Sequence, residues 1–360
     1  MLASFLFEFS EYFQPFNVLR YISFRSGLAL ITAMMIWFLI GPWLIRTLAY
    51  QQRDGTTVRE DLPEGHQGKV GTPSMGGLLI IFSALGSTLL WGDLGNRYVW
   101  AVMILILLFG GIGFWDDFLK IRHKSKGLSG RIRLVLEAIT AAGFSIAVIY
   151  IHGGIDATAL SFPFFKDFML QLSWFMVPFV MLVIIGSANA VNLTDGLDGL
   201  VTVPVIIAVG CLGIISYVVG HAVFSNYLQV ISIPGAGELS VLCASLIGAG
   251  IGFLWFNAPP AKIFMGDTGS LALGGALGSI SVIIKHEIVL FIIGGLFVLE
   301  TLSVVIQVIS FRYFGRRVFA MAPLHHHFEK KGWSESTIVV RFWIIAAILG
   351  LIGLSTLKLR

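Results

Sequence analysis

The chain has 360 residues, of which 56% are hydrophobic and 12% charged, with 24 Lys and Arg against 20 Asp and Glu. Its mean hydropathy is +0.88, whereas an ordinary soluble domain carries roughly 25% charged residues, so the composition excludes a water-soluble fold. Cys211 and Cys243 both fall inside apolar runs, which excludes a disulfide framework as the organising principle.

The first residues, MLASFLFEFSEYFQPFNVLRYISFR, interrupt their phenylalanines with Glu8, Glu11 and Arg20 and offer no small-residue cleavage site. They read as a segment lying in the membrane interface, not as a cleaved signal peptide. A hydrocarbon core about 30 Å thick needs about 20 mostly apolar residues per helix. Such runs fall near 26–45, 75–91, 98–115, 134–151, 168–187, 200–219, 239–256, 270–284, 288–311 and 338–357. They predict an all-α, polytopic integral membrane protein with about ten transmembrane helices. The run at 270–284 is short and glycine-rich, which leaves it open to being tilted, broken or partly interfacial. No repeat, low-complexity tract or long polar linker divides the chain, so residues 1–360 read as one transmembrane domain.

If the runs alternate in direction, loops 46–74, 116–133, 188–199, 257–269 and 312–337 share one side, and both termini lie on the other. Most Lys and Arg residues sit on the first side, while the short loops opposite hold only Arg97, Lys166 and Lys285. That asymmetry places the first side in the cytoplasm and both termini outside.

Four polar clusters carry the candidate chemistry: Asp116-Asp117 in GFWDDFLK, Asn189 to Asp198 in NAVNLTDGLDG, Asn257 to Ser270 in NAPPAKIFMGDTGS, and His325-His326-His327 in MAPLHHHFEKKGW. All four fall on the basic side. The runs follow from hydrophobicity alone, so this convergence is an independent sign of one site.

An Asp-Asp pair beside Lys120, Arg122, Lys124 and Lys126 is, taken alone, an ordinary solvated helix end. Together with the other clusters it points to a cation, because adjacent carboxylates repel unless one holds them. Hard oxygen donors carrying substrate phosphates suit Mg²⁺ better than Zn²⁺. Asp195 and Asp198 are three apart and share a face if their segment is helical; a polar turn capping the next helix is the plain alternative. Asp267, followed by Thr268, Gly269 and Ser270, opens a helix, where an N-cap and a phosphate site are compatible roles. Three consecutive histidines cannot all face one point, and no Cys cluster completes a zinc site. Phosphate contact or orientation of a neighbour is the preferred role for one or two of them. For Glu137, Glu300, Gln307 and Arg341, structural hydrogen bonds are at least as good a reading as a functional pathway. GHQGKV has the wrong spacing for a phosphate-binding loop and lacks its hydroxyl, so an ATP-driven machine of that type is excluded.

At GKVGTPSMGG, GFWDDFLK, NAVNLTDGLDGL, GFLWFNAPPAKIFMGDTGSLALGG and MAPLHHHFEKKGW, over nearly its whole length, the chain resembles the polyprenyl-phosphate N-acetylhexosamine-1-phosphate transferases. Within them it is similar to the phospho-N-acetylmuramoyl-pentapeptide transferase branch of bacterial peptidoglycan synthesis, which the triple-histidine segment sets apart. The resemblance implies transfer from UDP-N-acetylmuramoyl-pentapeptide to undecaprenyl phosphate, giving the lipid-linked phosphosugar and UMP, with Mg²⁺. It implies Asp116, Asp117 and Asp267 as catalytic carboxylates, and Asp267 and Asp117 as metal ligands. It places Asn192, Asp195, Asp198, Asn257 and Phe264 on the nucleotide side, Phe264 near the uracil, while Asn189 is a substrate-binding candidate with no side assigned. Lys69, Lys124, Lys126, His325, His326 and His327 are further substrate-binding positions. A multi-pass protein of the bacterial inner membrane is implied, with its site facing the cytoplasm, its termini periplasmic, no nucleic acid partner, and room for a homodimer. Direct attack by the lipid phosphate and a covalent route through Asp116 or Asp117 both stay open. The alternatives are a transferase of N-acetylglucosamine-1-phosphate and, from another class, an ion-coupled transporter, whose site would lie nearer the bilayer midplane.

Overall fold

The computed structural model describes Leu6 and residues 14–52, 71–123, 127–165 and 168–358. Its helices, in chain order, are α1 (Ile22–Gln51), α2 (Gly77–Trp91), α3 (Arg97–His123), α4 (Gly130–His152), α5 (Met176–Thr194), α6 (Thr202–Val219), α7 (Ala222–Leu228), α8 (Leu239–Asn257), α9 (Gly266–Ile283), α10 (Glu287–Ile293), α11 (Gly295–Phe314), α12 (Leu324–Lys330) and α13 (Glu335–Ser355). A small antiparallel hairpin between α4 and α5 pairs β1 (Ala159–Ser161) with β2 (Met169–Gln171). Among the described residues eight helices are long and apolar enough to cross a membrane. Helix α2, of 15 residues, and α9, of 18, occupy the two remaining apolar runs. The all-α polytopic expectation therefore holds.

Four details differ from the sequence reading. The run at 98–115 continues helically to His123, so Asp116 and Asp117 lie within α3, not beyond it. The run at 168–187 begins as a strand, and its helix extends to Thr194, which makes Asn189 and Asn192 helical. Gly294 divides the run at 288–311 into α10 and α11. The run at 270–284 is neither broken nor interfacial: it forms the continuous α9, with every residue from Thr268 to Ile283 buried. Of the interfacial N-terminal reading, only Leu6 and the stretch from Gln14 are described, with Gln14–Arg20 a 3-10 helix; the rest lies outside the described residues.

The glycines of α9 explain its burial. A Cβ on Gly274 would stand 2.6 Å from Ala188 Cα of α5, one on Gly278 would stand 2.8 Å from Ile184 Cα, and Gly275 admits Phe109 of α3 at 3.2 Å. Where lipid is as apolar as leucine, close approach of backbones supplies the packing energy that hydrophobic burial gives in water. Outward-facing Leu39, Tyr150, Leu182, Trp255 and Leu351 are exposed, as a lipid-facing surface requires. Buried hydroxyls return to their own helices, Thr88 to Ala84 O and Ser216 to Leu212 O, because no water is there to satisfy them.

At one end of the bundle the segment before α2 is stitched to the segment before α9. Phe264 N–H donates to Pro73 O, Gly76 N–H to Phe264 O and Gly77 N–H to Met265 O, at 2.8, 2.9 and 2.9 Å. Gln52, just past α1, grips Ser74 through both of its amide atoms. The GTPSMGG segment is thus fixed beside the start of α9.

Candidate active site

The polar end of α3 supplies the first half of the site. Lys120, one turn after Asp116, places its Nζ 2.5 Å from Asp116 Oδ2 and 2.7 Å from Asp267 Oδ2. Asp116 Oδ1 accepts the Leu128 N–H. Asp117 points to the start of α9, whose own N-cap residue, Met265, offers no side-chain acceptor. Asp117 Oδ1 accepts from Asp267 N–H at 3.1 Å, and Oδ2 accepts from Thr268 N–H and Oγ1 at 2.9 and 2.7 Å. A carboxylate from one helix thereby caps another, matching the positive end of the α9 dipole. Gly266 makes this approach feasible: its φ is +74° and a Cβ there would lie 2.6 Å from Asp117 Oδ2.

Asp267 stands at the centre. Its Oδ1 accepts from Asn192 Nδ2 at 2.7 Å, and the same amide donates to Ser270 Oγ. Its Oδ2 takes Lys120 and lies 3.5 Å from Arg133 Nη1. Asn189, one turn before Asn192, faces α4 instead, where Glu137 and Arg133 hold it.

The NLTDGLDG segment takes the second of its two readings, the polar turn. Helix α5 ends at Thr194 and residues 195–200 form a turn, so Asp195 and Asp198 do not share a helical face. Asp195 faces the carboxylates: burial first, then Asp267, Asp117 and Asp198, push its pKa up to about 7. Asp198 accepts the Ala261 N–H and its own N–H donates to Glu335. Asn257 accepts from Gly199 N–H and Thr202 Oγ1 and donates to Ile263 O. Being buried, it fixes the turn against the loop that leads to α9. Phe264 is half-buried in that loop.

The three histidines diverge, as their adjacency requires. His325 is buried, its N–H donates to Glu300 Oε1, and its Nδ1 lies 3.3 Å from the same oxygen, while its ring packs against Gly196. His326 Nδ1 meets Glu329 Oε2 at 2.6 Å. His327 Nδ1 accepts the Ala320 N–H. Lys69, Lys124 and Lys126 lie outside the described residues.

Sequence reasoning gave no site role to Arg133 or Glu300, and treated Lys120 only as a flank. For Glu300 the available signal was an ionisable residue inside an apolar run, which is rare unless functional; Lys120 and Arg133 lie between runs, where basic residues are ordinary. Gln307 and Arg341 took structural roles, the first binding Val318 and Phe319 backbone, the second stacking over Trp333.

Among the described residues no three His, Cys, Asp or Glu side chains form a ready metal cage. Asp116 and Asp267 are two hard-oxygen donors already bridged by an ammonium, the arrangement a Mg²⁺ ion fits when substrate phosphates and water complete its shell. Asp117 already accepts three hydrogen bonds from α9 and reaches the site through that helix.

Residues 99–285 match the family model for glycosyl transferase family 4, a span holding Asp116, Asp117, Asp195 and Asp267. Residues 69–81, including the segment stitched to α9, match phospho-N-acetylmuramoyl-pentapeptide-transferase signature 1. The chain therefore belongs to glycosyl transferase family 4, among membrane transferases of the phospho-N-acetylmuramoyl-pentapeptide-transferase type.

Proposed function

We propose that the protein transfers phospho-N-acetylmuramoyl-pentapeptide from its UDP carrier to undecaprenyl phosphate, releasing UMP, with Mg²⁺, at the cytoplasmic face of a bacterial inner membrane. The observation that carries this reading is the junction of α3, α5 and α9, where Lys120 binds Asp116 and Asp267, Asp117 caps α9, and Asp195 feels the charges of Asp267 and Asp117. Crowded acids flanked by cations suit a magnesium diphosphate.

A second feature supports a lipid acceptor. A cavity of about 560 Å³ runs between α5, α10 and α11, lined by Leu182, Val191, Leu277, Phe291 and Phe297 among others. Helix α5 carries both the Ala190–Val191 part of that wall and the site residues Asn189 and Asn192 on either side of it. A prenyl tail held there would leave its phosphate beside Asp267.

In the reaction a lipid phosphate oxygen attacks the phosphorus that bears the sugar, and the bond from that phosphorus to the oxygen retained by UMP breaks. One phosphoanhydride replaces another, so no further energy source is required. Both reactants are anionic. Lys120 and Arg133 would offset their repulsion and the charge on the transferring group, and Mg²⁺ when bound supplies further charge neutralisation. If a carboxylate attacks first, Asp116 and Asp117 are the candidate nucleophiles, and each would shed donors to attack.

The test is Mg²⁺-dependent UMP release by purified protein with polyprenyl phosphate, comparing UDP-N-acetylmuramoyl-pentapeptide with UDP-N-acetylglucosamine. Release with the first donor alone is expected. Release with only the second would reassign the sugar, and solute flux in proteoliposomes without nucleotide consumption would replace the transferase with a transporter.

A further inference from the structure

We propose that Glu137 is a positioning residue, which with Asn189 aims the Arg133 guanidinium at a substrate phosphate beside Asp267; the inference rests on the transferase reading above. Glu137 lies in the apolar helix α4 and is fully buried. An ionisable side chain at such a place is expensive unless a partner or a task retains it.

The contacts around it link Glu137, Asn189, Arg133 and Asp267 in a chain, in which Glu137 Oε1 and Arg133 Nε are buried without a hydrogen bond. Glu137 Oε2 accepts from Asn189 Nδ2 at 2.6 Å. The same amide group donates to Ile185 O, and Asn189 Oδ1 accepts from Arg133 Nη2 at 3.0 Å. Both ends of the Asn189 amide are thereby assigned, and it has no freedom to flip. Glu137 Oε1 stands 3.5 Å from Arg133 Nε, and Arg133 Nη1 stands 3.5 Å from Asp267 Oδ2. The Arg133 side chain is 24% exposed and that of Glu137 is 0%. The guanidinium is therefore held by the Asn189 amide and the charge of the buried Glu137, with Nη1 on the side of Asp267.

A planar guanidinium pairs two N–H groups with two phosphate oxygens only when its plane is fixed. An untethered arginine would fold onto Asp267 or swing into water. Misplacement of a positioning group by about 1 Å costs roughly 10²-fold in rate. The bound oxygen could belong to the donor diphosphate or to the lipid phosphate, and the kinetics separate them.

UMP release should be measured for R133A, E137A, E137Q and R133A/E137A, varying each substrate separately. Thermal unfolding and titration with inorganic pyrophosphate accompany each variant. R133A is expected to raise KM by about 10-fold or more for whichever substrate owns the phosphate. E137A should reproduce that pattern, with E137Q milder because its amide oxygen still accepts from Asn189. The double variant should be no worse than R133A, and pyrophosphate binding should weaken alike in all. Wild-type KM and pyrophosphate affinity in both E137A and E137Q would overturn the proposal. So would a loss that tracks a lowered Tm and adds to that of R133A. A wild-type protein inactive with both donors, yet binding pyrophosphate in a Glu137-dependent way, would sink the transferase reading and leave this inference standing.

Discussion

The two ends of the helix bundle handle charge in opposite ways. At the end away from the site, Arg25 meets Glu238 through two bonds of 2.8 and 2.6 Å and reaches Trp91 O. There too Lys285 Nζ is held by Ala157 O and Ala159 O, and His152 Nε2 by Ile283 O. Each group meets an opposite charge or a carbonyl. At the other end Asp116, Asp117, Asp195 and Asp267 gather with, among the described residues, only Lys120 and Arg133 in direct ion-pair contact with them. The first arrangement serves the fold alone. The second keeps like charges together at a cost, which makes sense if a cation and phosphates arrive to balance them.

Substitutions can break or sharpen that contrast. The largest effect is expected from Asp267→Asn, which should lower UMP release by about 10³-fold or more and also lower Tm, since Lys120 and Arg133 lose their shared anionic partner. Near-normal turnover would end the contrast. Asp117→Asn should be similarly inactive and less stable by about 1 kcal/mol, because α9 loses a charged cap; wild-type Tm in thermal unfolding would show that the cap contributes nothing. Lys120→Ala should cost about 10²-fold in kcat. At the opposite end Arg25→Ala should leave the rate per folded molecule unchanged while removing about 3 kcal/mol of stability, read by denaturation in detergent. If that variant instead lost activity at full stability, the two ends would not be separable.

The smallest effect concerns pH. Folded Asp195 titrates at about 7 against an ordinary 3.8, so between those values the folded state holds a proton that the unfolded state has released. Stability of the metal-free protein should therefore fall as pH rises through this window and level off above it. Asp195→Asn should flatten the change in Tm between about pH 5 and about pH 8. An unaltered slope would show that Asp195 does not feel its acidic neighbours.

Much of this was legible in the sequence because hydrophobic runs and polar interruptions are local properties. The four clusters were separable by eye, and the divergence of His325, His326 and His327 followed from their adjacency. Local reading stumbled where a polar residue continues a helix. Asp116, Asp117, Asn189 and Asn192 looked like loop residues because hydropathy falls before the helix ends. It also stumbled at α9, where glycines that suggest breakage serve close packing against Ile184, Ala188 and Phe109. Glu137 and Glu300 could not be ranked without their partners, Asn189 and His325, which lie 52 and 25 residues away.

The sequence by itself determined that the chain is an all-α membrane protein whose acids gather at helix ends, since transfer energies per residue decide both. Tertiary structure alone decided what each acid does. Asp117 became the cap of α9, Asp267 the centre of the cluster, and Asn257 a structural clasp. The reason is that a side chain's role depends on which backbone donors and charges lie within about 3 Å of it, and here those come from helices far apart in the chain.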